Sequence, residues 1–148
     1  MKRLLFVLLT LVGLTAANAA KEDAAAEDLK KMQGDWVVVT MESDGMKIPD
    51  DDAQALFRTV KGDQYTVFRY RRVIGKGTIQ LDATKKPRTF DARPAGGARD
   101  AKPILGIYEF DGDKLKLCYA GPGKDRPTQF RTEEGSGHTL AVWQPERK

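Results

Sequence analysis

From Trp36 onward the chain consists of short runs rich in β-branched and aromatic residues, each cut off by Gly, Asp or Pro, and that rhythm confines it to an antiparallel sheet of short strands. The sharpest unit is Ile104–Phe110, a turn at Asp111-Gly112, then Lys114–Tyr119, because Asp-Gly suits the positive φ angles of a tight hairpin. In its second arm Leu115, Leu117 and Tyr119 share one face, while Lys114, Lys116 and Cys118 take the other. Trp36–Glu42, Gln64–Tyr70, Val73–Leu81, Pro87–Arg93, Thr128–Thr132 and Thr139–Gln144 read as further strands. That makes eight strands, joined mainly by short connections, with Gly75 and Gly77 placed to let one of them bend. The pattern predicts a meander, and eight is the number at which such a sheet closes into a barrel.

Two short helices are expected beside the strands. Lys21–Gln33 is rich in Ala, Glu, Asp and Lys, carries Leu29 and Met32 three apart, and ends at Gly34. Pro49 followed by Asp50-Asp51-Asp52, then Ala53, Leu56 and Phe57, reads as a helix of two turns with acids at the positive end of its dipole. Those acids lack the alternating register, central Gly and distal Glu of a calcium loop, so no metal is expected there.

Lys2 and Arg3, the apolar run Leu4–Leu14, and Ala17 and Ala19 in small-x-small spacing read as a cleavable signal peptide spanning residues 1–19. Removing 19 of the 148 residues leaves 129, a single domain over residues 20–148. The apolar run is shorter than the roughly 20 residues that cross a bilayer, so no stable membrane anchor is expected after cleavage. The expected destination is the periplasm or the extracellular medium. Cys118 is the only cysteine, which leaves stability to packing rather than to an internal disulfide.

Loss of Lys2 and Arg3 lowers the formal charge from +4 to +2, with acids and bases interspersed along what remains. Nucleic acid needs basic residues gathered on one face. The one dense group, Arg69, Arg71 and Arg72, divides between two faces of a strand by alternation, so nucleic acid is not an expected partner.

A short helix running into Gly34-Asp35-Trp36 at the head of the first strand resembles the Gly-x-Trp motif of lipocalins. The resemblance implies that Trp36 closes the bottom of a barrel and that a late arginine, Arg131 or Arg147, packs across it. A longer set of motifs runs through Gln33-Gly34-Asp35-Trp36, Asp44-Gly45, Lys61-Gly62-Asp63, Gly75-x-Gly77, Leu105-Gly106-Ile107-Tyr108-Glu109 and Leu117-Cys118-Tyr119-Ala120. With Pro122-Gly123 and Arg126-Pro127-Thr128, it is similar to the uncharacterised planctomycete secreted lipocalin-like domain family over roughly residues 29–145. That likeness implies a calycin-type barrel and no particular chemistry.

Candidate chemical groups are sparse. His138 is the only histidine, and although Ser136 stands two residues before it, neither a strained nucleophile elbow nor an orienting acid accompanies them. Cys118 reads as a small half-buried residue rather than an activated thiol. Asp91 and Glu109 lie on strands with nothing to bring them together as an acid–base pair. No catalytic residue, metal or cofactor is therefore expected. The loop around Pro122, Gly123, Lys124, Arg126 and Pro127 is stiffened by prolines and carries two cations, which suits either protein recognition or a structural turn in which Arg126 ties loop carbonyls.

The expected barrel lining is apolar: Val37, Val39 and Met41 above a Trp36 floor, Tyr65 and Val67, Leu105 and Ile107, then Leu115, Leu117 and Tyr119. Such a lining either fills the interior or holds one small apolar ligand. The leading expectation is a secreted, noncatalytic module that binds such a ligand. The alternative is an envelope protein with a filled core that acts through protein–protein contacts.

Overall fold

The computed structural model describes residues 12–97 and 101–147. Its elements are α1 (Val12–Lys31), β1 (Gly34–Ser43), β2 (Met46–Lys47), α2 (Asp50–Gln54), β3 (Leu56–Lys61), β4 (Gln64–Arg69), β5 (Arg72–Asp82), β6 (Arg88–Pro94), β7 (Ile104–Asp111), β8 (Lys114–Ala120) and β9 (His138–Pro145). Each neighbour in the order β2-β1-β3-β4-β5-β6-β7-β8-β9 is hydrogen-bonded, and β1 also pairs with β9. Every pairing is antiparallel. The β1–β9 seam closes an eight-stranded barrel, with β2 as a short extra strand, which is the lipocalin-like architecture expected from the strand rhythm.

The expected number of barrel strands emerges through two errors that cancel. Thr128–Thr132 is irregular loop, whereas Leu56 and Phe57, expected at the end of a helix, begin β3. Helix α2 is a single turn because the stretch after Gln54 alternates: Leu56, Arg58 and Val60 are buried, and Phe57, Thr59 and Lys61 are not. That period of two belongs to a strand. Helix α1 is already formed at Val12, the first described residue, rather than starting at Lys21, so it runs through the expected cleavage point; residues 1–11 of the expected leader lie outside the described residues. No described helix is long and apolar enough to cross a membrane.

Two turns also differ from expectation. In the β7–β8 hairpin Asp111 pairs with Lys114, so the two-residue turn is Gly112-Asp113, and Gly112 alone takes positive φ at 61°. That is the pattern of a turn with Gly at its first central position. In the β4–β5 hairpin Tyr70 and Arg71 form the turn with φ of 47° and 63°, leaving Arg69 opposite Arg72. Arg69 and Arg72, expected on opposite faces, therefore share one face of the sheet as cross-strand partners, and Arg71 stands in the turn between them.

The barrel interior is a continuous core whose closed end is plugged by α1. Met32 is fully buried, Leu29 packs against the core, and the Trp36 Nε1–H donates to the Met32 carbonyl at 2.9 Å. Asp28, 4% exposed, accepts from the Tyr108 hydroxyl at 2.8 Å and pairs with Arg88 at 3.2 Å. Its charge is compensated at the point where the helix meets the sheet. Burial and the Asp28 carboxylate together push the Tyr108 phenol well above its ordinary value. Arg131 and Arg147 do not take the role implied across Trp36: both are exposed, one paired with Glu133 and the other reaching Asp113.

Candidate functional site

The open half of the barrel contains a cavity of about 350 Å³. Its walls are mostly apolar: Met41 from β1, Leu56 from β3, Tyr65 and Val67 from β4, Phe90 and Ala92 from β6, Ile104 from β7, Leu117 and Tyr119 from β8, and Trp143 from β9. Gly75 and the exposed Ile74 of β5 stand on the lining too, and Lys76 completes that wall. At Gly106 an added Cβ would collide with the Phe90 ring, so this glycine lets the aromatic side chain lie against the backbone of β7.

Five of the expected lining residues, Met41, Tyr65, Val67, Leu117 and Tyr119, do meet around this cavity. Trp36 and Leu115 face inward as expected but belong to the filled core rather than to the cavity wall. Val37, Val39, Leu105 and Ile107 do not line the cavity. In β1 the register with β9 shifts between Val38 and Thr40, and the extra residue puts Trp36, Val38 and Met41 on the inside. Val37 instead stands on an outer trough with Phe57 and Phe68. Along β7 the inward set is Ile104, Gly106, Tyr108 and Phe110, which turns Leu105 and Ile107 outward.

Ile107 is nevertheless buried, as is its cross-strand neighbour Cys118, because the loop leading to β9 covers the outer face of β7 and β8. The Cys118 thiol approaches the Arg131 carbonyl at 3.7 Å, and burial pushes it above its ordinary value, away from thiolate. Arg126 clamps the same loop: its Nη1 donates to the Phe90 and Gly106 carbonyls, each at 2.7 Å, and its Nη2 pairs with Asp91 at 2.6 Å. Pro127 is buried, while Pro122, Gly123 and Lys124 are exposed at the loop tip. Glu109 is held by Lys116 at 2.6 Å, so Asp91 and Glu109 have separate partners. Ser136 Oγ accepts from the Glu133 and His138 amides in a local turn, and half-buried His138 opens β9. Among the described residues no cluster of three or more His, Cys, Asp or Glu gathers in a way that would hold a metal ion.

The residue that sequence reasoning missed is Arg58. It sits at the middle of β3, pairs in register with Trp36 on one side and Val67 on the other, and is 6% exposed on the cavity wall. Its guanidinium lies over the Tyr65 ring at 5.6 Å. Among the described residues its side chain makes no hydrogen bond or ion pair, and its buried Nε has no partner. The buried Nε1 of Trp143, another residue of the lining, is likewise unpartnered. Desolvation lowers the Arg58 pKa to about 10, partly opposed by the nearby Tyr119 and Tyr65, and leaves the group charged at neutral pH. Burial pushes both tyrosines above their ordinary values, so they face the arginine as neutral phenols. The signal was present in the alternation Leu56-x-Arg58-x-Val60, which a helical reading of Leu56 and Phe57 concealed.

Three larger hollows lie on the outside of the barrel, of about 440, 560 and 360 Å³. In the first, Lys21 is paired with Asp82 and Arg126 with Asp91. None of the three is lined by a residue with a buried, unpartnered donor, as the barrel cavity is. Comparison of the chain with protein-family models, with curated proteins and with solved structures finds no match.

Proposed function

We propose that this chain is a secreted, noncatalytic lipocalin-like module that holds a small apolar molecule in the open half of its barrel. The observation that carries the reading is the apolar cavity of about 350 Å³, within the range that small-molecule sites occupy. The leader pattern of residues 1–19 supports export, and the likeness to secreted lipocalin-like domains is in keeping with it. Binding through the Gly121–Thr128 loop draws less support, because Arg126 is engaged in fastening the loop to the barrel.

The test is native mass spectrometry of the protein recovered from its own cell envelope, compared with its mass after denaturation. A small molecule carried by the native protein and lost on denaturation is the expected result. A bare mass, together with failure to take up an environment-sensitive apolar dye, counts against the cavity as a binding site. A native mass that includes a second protein favours the interaction reading instead.

A further inference from the structure

Resting on the reading of the cavity as a binding site, we propose that its ligand is a medium-chain carboxylic acid, with the carboxylate held by Arg58 and the hydrocarbon tail directed toward Ile74 and Ile104. Burying a charge without a counter-charge is costly, and proteins neutralise or pair such groups wherever they can. Arginine does not lose its proton at neutral pH, so only an acceptor can relieve it. No Asp or Glu stands on the cavity wall to supply one.

The geometry specifies the acceptor further. Arg58 offers a planar fork suited to a two-oxygen group, and Trp143, another residue of the lining, carries a buried Nε1–H with no acceptor in the protein. The only two buried side-chain nitrogen or oxygen atoms without partners among the described residues therefore both belong to residues that line this cavity. Both are donors, so the complementary group is one that only accepts. A carboxylate matches the single guanidinium charge for charge. A phosphate monoester would bring a second negative charge into apolar surroundings, with Lys76, two strands away on β5, as the only other cation on the lining. The remaining walls, from Leu56 and Val67 to Ala92 and Leu117, provide hydrocarbon contact and no further polar demand.

The experiment measures binding of decanoic acid, decanol and decyl phosphate to the exported protein by calorimetry, at a pH where the acid is ionised. Decanoate is expected to bind about tenfold or more tightly than decanol, the scale of one charge-assisted hydrogen-bonded pair. Arg58→Met should erase that preference, so that decanoate binds no more tightly than decanol, while Arg58→Lys should keep part of it. Because Arg58→Met removes an unpaired buried charge, it should fold at least as well as the parent; its unfolding midpoint should rise less with decanoate than the parent's does. Equal binding of decanoate and decanol by the parent overturns the carboxylate assignment and leaves the cavity reading standing. Tighter binding of decyl phosphate overturns the choice of head group. Failure of all three to bind removes the cavity reading and this inference together.

Discussion

The two ends of the barrel handle buried polarity in opposite ways. At the closed end Asp28, Tyr108 and the Trp36 indole are buried and all have partners, supplied by α1, the Met32 carbonyl just beyond it, β6 and β7. In the cavity half Arg58, the cross-strand neighbour of Trp36, and Trp143 are buried with donor nitrogens, Nε and Nε1, that meet no acceptor. An unmet buried donor costs about 1–3 kcal/mol, and more for a charged group, so the open end carries a penalty that the closed end avoids. The difference separates an end organised for stability from an end organised around something the chain itself does not provide.

The largest expected effect breaks the closed end. Asp28→Ala removes the acceptor of Tyr108 and the counter-charge of Arg88 in one step, and should lower unfolding free energy by about 3 kcal/mol in a denaturant titration. Asp28→Asn keeps an oxygen for the Tyr108 hydroxyl and should lose about half as much. Neither change touches the cavity wall, so ligand affinity per folded molecule should stay unchanged. A loss below about 0.5 kcal/mol for Asp28→Ala would mean that the network is incidental to stability, as surface pairs are.

How much of this division was legible beforehand depends on how each strand is covered. Tyr65, Val67, Leu117 and Tyr119 were placed by alternation because the other faces of β4 and β8 carry at least some polar residues, Thr66 and Lys116 among them. On β7 both faces are buried, one by the core and one by the Arg126-clamped loop, so Leu105 and Ile107 looked as inward as Gly106 and Tyr108 truly are. A glycine against an aromatic ring leaves no hydrophobic mark in a sequence. In β1 the run Trp36–Val39 is apolar on both parities, and the register shift that returns Met41 to the inside depends on pairing with β9, more than ninety residues away. Arg58 was lost for a different reason: an arginine between apolar residues reads as surface until the strand itself is recognised.

A smaller effect sharpens the open end. Gly75 lines the cavity, has no positive φ, and an added Cβ there meets nothing within 4 Å. Gly75→Leu should therefore fill part of the cavity without backbone strain and raise stability by up to about 1 kcal/mol, through lower chain entropy in the unfolded state and added apolar contact. Uptake of an apolar dye should fall at least tenfold in a fluorescence titration, since the side chain occupies volume the ligand would need. Gain of stability with unchanged uptake would show that the dye binds elsewhere, and the outer trough by Val37, Phe57 and Phe68 would become the place to look.

The smallest effect tests where the helical plug stops mattering. Asp82 is bound by the Thr84 hydroxyl and amide, the latter at 3.0 Å, and by Lys21 of α1 at 3.2 Å; these hold its pKa down at about 2. A depressed carboxylate contributes stability above its ordinary value near 4, and that contribution disappears as pH falls from about 4 through 2. Most of the depression comes from Thr84, two residues away, and so local a bond forms in the unfolded chain as well. Lys21 is half exposed, and its share is screened by salt. Lys21→Ala should therefore cost only about 0.3 kcal/mol at neutral pH. It should bring the acid unfolding curve closer to that of an otherwise identical chain in high salt. A cost rivalling that of Asp28→Ala would place the structural weight of α1 at its Lys21 end, and the compensated cluster at Asp28, Tyr108 and Arg88 would no longer explain why that end of the barrel is closed.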